Sequence, residues 1–238
     1  MSDSEGEDDG NLDLTTTESL EPKLQALLQT FIARRIIEHN TLAAIMEVIK
    51  IHYRDNSGTI EDYIHSINSM IMQVNMQIKN MRTESKHYYC LTNLKADESS
   101  KLTTKYNATE TTYFKALIEE MIQKGGELKN SHCLDLHLQG QTKTKAEEAL
   151  QKFKDDGWIT DSTNNTSKTL TPRALMDLAP ILTELPECFL CHQRVLTVNG
   201  HIEACANSES CTVTLHQHCS AQYFKKATNC PSCKQRFK

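Results

Sequence analysis

CFLCHQRVLTVNGHIEACANSESCTVTLHQHCSAQYFKKATNCPSC, residues 188–233, carries seven of the nine cysteines of a 238-residue chain. Written as spacing it is C-x2-C-x13-C-x5-C-x4-H-x2-C-x10-C-x2-C, with eight side chains of metal-ligand type: Cys188, Cys191, Cys205, Cys211, His216, Cys219, Cys230 and Cys233. Zinc takes four thiolate or imidazole ligands in a tetrahedron, and a CxxC turn presents two sulfurs to one ion. Eight ligands therefore make two closed sites, two structural Zn2+ per chain. A module this short has too small an apolar core to fold on hydrophobic burial alone, and bound metal supplies the missing free energy. His218 competes with His216 for the histidine position, but only His216 leaves the two-residue spacer that lets a His-Cys pair approach an ion as CxxC does. His192 and His201 read as surface residues.

Other readings of the cysteines fare worse. A disulfide framework leaves an odd cysteine among the seven and belongs to an oxidising compartment. The N-terminus, MSDSEGEDDGNLDL, has neither the basic nor the apolar region of a signal peptide, so an intracellular protein is expected. A thioredoxin-like CxxC requires a βαβ context, which this segment lacks.

The ligand order, four cysteines, a histidine and three cysteines, resembles the variant RING and PHD families. In both, ligand pairs one and three share one ion and pairs two and four the other. That resemblance assigns Cys188, Cys191, His216 and Cys219 to the first zinc, and Cys205, Cys211, Cys230 and Cys233 to the second. PHD fingers carry a tryptophan two residues before the seventh ligand, where this chain has Thr228, and its single Trp is Trp158; RING is favoured. The five-residue gap between Cys205 and Cys211 is longer than usual for such modules. RING modules recruit ubiquitin-conjugating enzymes through a shallow apolar patch on the two CxxC loops. The resemblance carries that role to Leu190, Tyr223 and Pro231, with Lys234 where such modules place a basic residue that contacts ubiquitin.

Upstream, the hydrophobic period changes twice. Leu24, Leu27, Leu28, Phe31 and Ile32 form one helical stripe. Asn40 is placed to cap a second helix with Leu42, Ile45, Met46 and Ile49 inward, and Thr59-x-x-Asp62 caps a third with Ile60, Tyr63, Ile64 and Ile67. Val74, Met76 and Ile78 then alternate, a TESK turn follows, and HYYCLTNL reads as a return strand. Three helices and a hairpin are the pattern of a winged helix. The pattern recurs: Phe114, Leu117, Ile118, Met121 and Ile122 make a stripe stopped by Gly125-Gly126, and a short segment spans 134–138. Thr144-x-x-Glu147 is a capping box for a helix ended by Gly157, and Trp158-Ile159 and 168–170 flank an STNNTS tip. Thr171-Pro172 opens a last helix, interrupted near Pro180. The expected fold is α+β: winged-helix domain A over 22–94, a linker over 95–107, winged-helix domain B over 108–185, and the cross-brace module of variant RING type over 186–238.

Residues 1–21 hold eight acidic and no basic side chains, a disordered acidic tail, and the remainder carries 23 acidic against 26 basic. No apolar run approaches the ~18 residues of a membrane span, so no membrane association is expected. No phosphate-binding glycine loop, Ser/His/Asp arrangement or catalytic carboxylate pair is present, and no catalytic or cofactor-binding residue beyond the metal ligands is expected. Lys143, Lys145, Lys152 and Lys154 make a basic helix face, but Glu147, Glu148, Asp155 and Asp156 dilute it; any DNA contact is expected to be indirect.

Tandem winged helices followed by this zinc module are similar to the non-SMC element one family, a subunit of the Smc five-six chromosome-maintenance complex. The likeness covers roughly 22–237 and is most specific in YRDNSGTIEDYIHSINSMI, AEEALQKFKDDGWI, CSAQYF and CPSC. It implies a nuclear protein of DNA repair that pairs through its winged helices with a MAGE-type subunit. It also implies an E3 ubiquitin ligase subunit whose zinc module, partly free, meets a conjugating enzyme. The alternative is a zinc-braced interaction subunit without transfer activity.

Overall fold

The computed structural model describes residues 20–94, 105–136, 141–162, 164–196, 202–207 and 209–237. The acidic tail up to residue 19, residues 95–104 of the expected linker and His201 lie outside the described residues.

Helix α1, Pro22–Arg34, starts on a proline whose missing N–H costs nothing there and buries Leu24, Leu27 and Phe31 along one stripe. A three-residue strand β1, Ile36–Glu38, leads into α2, His39–Tyr53, which buries Leu42, Met46 and Ile49. Helix α3, Ile60–Ile71, opens on a complete capping box: the Thr59 hydroxyl accepts from Asp62 N, and the Asp62 carboxylate accepts from Thr59 N. It runs into a single 3-10 turn, Met72–Val74, closed by left-handed Asn75 at φ 58°. Strands β2, Met76–Arg82, and β3, His87–Asn93, form the hairpin, and the antiparallel sheet has the order β1-β3-β2. The Asn68 side chain bonds both the N–H and the carbonyl of Ile78, at 2.7 and 3.0 Å, so α3 satisfies the outward backbone groups of β2 at that residue.

The same order of elements repeats. Helix α4, Ala108–Gln123, is followed by β4, Glu127–Lys129; α5, Asn130–Asp135; α6, Lys143–Asp155; β5, Ile159–Asp161; and β6, Ser167–Leu170. This second sheet has the order β4-β6-β5, again antiparallel. Gly125 and Gly126, at φ 77° and 100°, end α4 in a conformation side chains resist. An aromatic cluster fills the core, with Phe114 and Phe153 rings 4.9 Å apart edge-to-face. A short helix α7, Pro172–Asp177, capped by Thr171, closes the unit, and its buried Arg173 lies 4.1 Å over the Trp158 ring. No described helix is long and apolar enough to cross a membrane.

Several expectations need correction. Glu38, not Asn40, precedes the first residue of α2. Thr142, rather than Thr144, caps α6 by accepting from Lys145 N, while a full capping box at Asn107 and Glu110 opens α4. Strands β1 and β4 add a third strand to each expected hairpin. Val74 belongs to the turn before β2, not to the strand. The segment expected over 134–138 is in part helix α5, ending at Asp135, and 137–138 lie outside the described residues. Helix α7 ends at Asp177, before Pro180.

The units are packed together. Helix α7 lies against β2 and β3 of the first sheet, Asn93 N donates to Asp177 Oδ1 at 3.3 Å, and Met81 and Cys90 are buried in the second core rather than the first. The cysteine-rich segment adds strands β7, Ile202–Ala204, and β8, Thr214–His216, paired antiparallel, and helix α8, Gln217–Tyr223. Its first loop and the segment after it contact the other two units. Leu196 packs on the second core so closely that a side chain at Gly126 would overlap it, Gln193 Nε2 donates to Asn80 O at 2.5 Å, and Arg194 donates to Leu185 O at 3.1 Å.

Candidate metal centre

Two short loops with the same hydrogen-bond pattern build the centre. In one, Cys188 N donates to Gln193 O and His192 N to Cys188 O; in the other, Cys230 N donates to Gln235 O and Lys234 N to Cys230 O. Each reverses the chain through a left-handed residue after its second cysteine, His192 at φ 56° and Lys234 at φ 61°. An antiparallel bridge closes each, Glu187 to Arg194 and Asn229 to Arg236. The sequences match, CFLCHQRV and CPSCKQRF, with Val195 and Phe237 buried at equivalent places. That internal repeat was legible in the sequence and was missed. Because the two cysteines of a loop sit on the same side of one tight turn, their sulfurs converge.

Strand β8 delivers His216 at its end, and Cys219 follows in the first turn of α8, so the two-residue spacer puts both side chains toward the first loop. The ligand atoms of Cys188, Cys191, His216 and Cys219 all lie within 4.8 Å of one another, as do those of Cys205, Cys211, Cys230 and Cys233. A tetrahedral zinc with Zn–S bonds of about 2.3 Å requires sulfurs about 3.8 Å apart. Cys205 and Cys233 are 3.7 Å apart, and Cys211 and Cys230 3.7 Å; His216 Nδ1 is 3.4 Å from Cys191 and 3.9 Å from Cys219. These are tetrahedron edges and far too long for disulfides. The donor sets fit two metal ions of zinc's type. His216 turns Nδ1 to the cluster and donates from Nε2 to Arg194 O at 3.2 Å, an outer contact that fixes ring orientation and tautomer. His218 belongs to neither group; its ring stacks on that of His216 with centroids 4.9 Å apart.

The groups perturb one another strongly. Burial opposes a charge on His216, but hydrogen bonds with Cys188 and Cys191 overcome it and push its pKa up to about 10. Burial likewise raises the Cys230 thiol, yet the Ser232 and Cys233 amides and the neighbouring thiols bring it down to about 7. Thiolates crowded this closely are stabilised by a divalent cation at their centre.

Leu190 and Tyr223, both half-buried, line one groove of about 450 Å³ beside the first cluster. Pro231 and Lys234 do not line it. They lie on the second loop, where Lys234 Nζ donates to Pro231 O at 2.6 Å. Phe189, 44% exposed, is an apolar surface residue of the first loop that spacing did not single out. Three of the four lysines of α6 are in internal ion pairs: Lys143 with Asp135, Lys152 with Glu110 and Lys154 with Asp161. That face offers little free positive charge to a phosphate backbone.

The family described as the Nse1 non-SMC component of the SMC5-6 complex matches residues 24–137. A protein of Homo sapiens named non-structural maintenance of chromosomes element 1 homolog is 30% identical over 199 residues, 77% of this chain and 71% of that protein. The Rattus norvegicus protein of the same name is 29% identical over the same shares. Among solved structures, a chain of an Nse1-Nse3-Nse4 complex superposes with a TM-score of 0.72 at 22% identity, covering 92% of this chain and 98% of that one, a likeness of fold.

Proposed function

This chain belongs to the Nse1 family, non-SMC components of the SMC5-6 complex, and from that membership we propose a RING-type E3 ubiquitin ligase subunit of that complex, acting in the nucleus in DNA repair. We read the two helix–sheet units as tandem winged helices that pair with a MAGE-type subunit; the likeness of fold to a chain of an Nse1-Nse3-Nse4 complex supports assembly into such a complex. The eight Cys and His side chains hold two structural zinc ions. The observation that carries the reading is the placement of Leu190 and Tyr223 in one groove beside the first four-ligand cluster.

A module of this kind forms no covalent intermediate. It binds a ubiquitin-charged conjugating enzyme and holds it in a reactive geometry, so its contribution is orientation. The metal's part is structural: bound by Cys188, Cys191, His216 and Cys219, it would fix the first loop against α8, and the two together present the groove. Transfer of ubiquitin reconstituted from purified components, with and without the MAGE-type partner, tests the proposal. Leu190→Ala or Tyr223→Ala should abolish transfer and leave complex assembly intact.

The packing of Leu196 and Gln193 onto the other two units favours a second reading, a zinc brace that stiffens the chain without transferring ubiquitin. In that case wild type and Leu190→Ala behave alike in the transfer assay, while loss of zinc disrupts assembly.

A further inference from the structure

The groove that holds Leu190 and Tyr223 is not made by the zinc module alone. Its other wall is the end of β2, with Asn80 and Arg82. That wall is held in place twice. Asn80 and Arg82 are paired in register with Tyr89 and His87 of β3, and the Asn80 carbonyl accepts the side-chain N–H of Gln193, four residues past Leu190's neighbour Phe189. Arg82 is exposed and makes no ion pair among the described residues. None of the nine side chains lining the groove is a carboxylate. The groove thus offers two apolar side chains on one wall and, on the other, an exposed guanidinium carried by a strand rather than a loop.

We propose that the β2 edge is part of the docking surface: a conjugating enzyme seated on Leu190 and Tyr223 presents a carboxylate to Arg82, and the first helix–sheet unit thereby selects among conjugating enzymes. This rests on the ligase reading above. Charge complementarity identifies the occupant's chemistry, an apolar tip flanked by an acidic side chain, and a guanidinium can recognise that acid through two parallel hydrogen bonds. An enzyme with a basic residue at the same place is rejected by like charge.

The test uses the full zinc-loaded chain and a panel of purified ubiquitin-conjugating enzymes that differ in the charge of their docking loops, with affinities read by interferometry. Enzymes that bind should lose roughly tenfold in affinity to Arg82→Glu and roughly threefold to Arg82→Ala, and added salt should narrow both differences. Replacing the facing carboxylate of the conjugating enzyme with arginine should restore binding to Arg82→Glu. Zinc content and melting temperature equal to wild type establish that the variants are folded. Affinities unchanged by Arg82→Glu, with binding still lost in Leu190→Ala, overturn the composite groove and leave the ligase reading standing. Failure of the wild-type chain to bind any enzyme of the panel overturns both.

Discussion

Replacing His216 by alanine should release the metal of the first cluster and unfold the cysteine-rich module. The magnitude follows from what the module buries. Its core has eight buried residues, and four of them are the ligands Cys188, Cys205, Cys211 and Cys230. The remaining apolar side chains, Val195, Val213, Leu215 and Phe237, contribute about 2 kcal/mol each, or ~8 kcal/mol together. A structural zinc contributes about 10–16 kcal/mol at neutral pH. Metal therefore outweighs the apolar core, and removing one of four ligands removes the larger share. His216→Ala should lower the zinc content from two ions to one or none and make the amides of Val195 and Leu215 exchange freely. His218→Ala removes one ring stacked on His216 and should cost about 1 kcal/mol with both ions retained. The assay is zinc release by a thiol-modifying reagent in the presence of a colorimetric chelator, with hydrogen exchange on the same samples. Two zinc ions in His216→Ala, or the loss of one in His218→Ala, would refute the ligand assignment.

Phe153→Ala, at a fully buried ring packed edge-to-face on Phe114 and Tyr106, should lower stability by about 3–5 kcal/mol in urea unfolding. Gly126→Ala combines a φ of 100° with overlap onto Leu196 and should cost at least about 1 kcal/mol, seen first as faster exchange at Leu196 rather than in the metal content. Burial raises the Asp156 carboxyl, but hydrogen bonds from Lys105 and Tyr106 outweigh it and hold the pKa below the usual range. Its stabilisation is therefore complete above the unfolded carboxylate value of about 3.9 and fades as pH falls through the lower folded value. The stability difference between wild type and Asp156→Asn should shrink over that acid range, read from paired unfolding curves.

Local chemistry was the most readable level of the sequence. Thr59-x-x-Asp62 and Thr171-Pro172 state helix starts by themselves, because the capping groups are neighbours in the chain. The two donors of each CxxC loop were accessible for the same reason, since one turn brings them together; which pairs share an ion is long-range, and there the resemblance to cross-brace modules supplied the grouping that the structure shows. Strands β1 and β4 escaped because three residues are too few to display a period, and their partners, β3 and β6, lie far along the chain. Thr142 and Thr144 offer nearly equal caps in sequence, and in the fold it is the Thr142 hydroxyl that accepts from Lys145 N. Nothing local announces that Gln193 reaches Asn80 or that Leu196 settles over Gly126, since both contacts arise from tertiary docking.

That seat of Leu196 ties metal occupancy to the rest of the chain. Leu170, Pro172 and Leu175 of the second unit share a groove with Leu196 and His216, under the cysteine-rich module. If docking of that module strengthens metal retention, retention strengthens docking by the same factor, because coupling free energy is reciprocal. A binding partner that favours the docked arrangement therefore tightens zinc binding at a site it never touches. Conversely, a molecule stripped of its zinc uncovers a sticky apolar floor on an otherwise intact body, the kind of surface that draws chaperones and proteases.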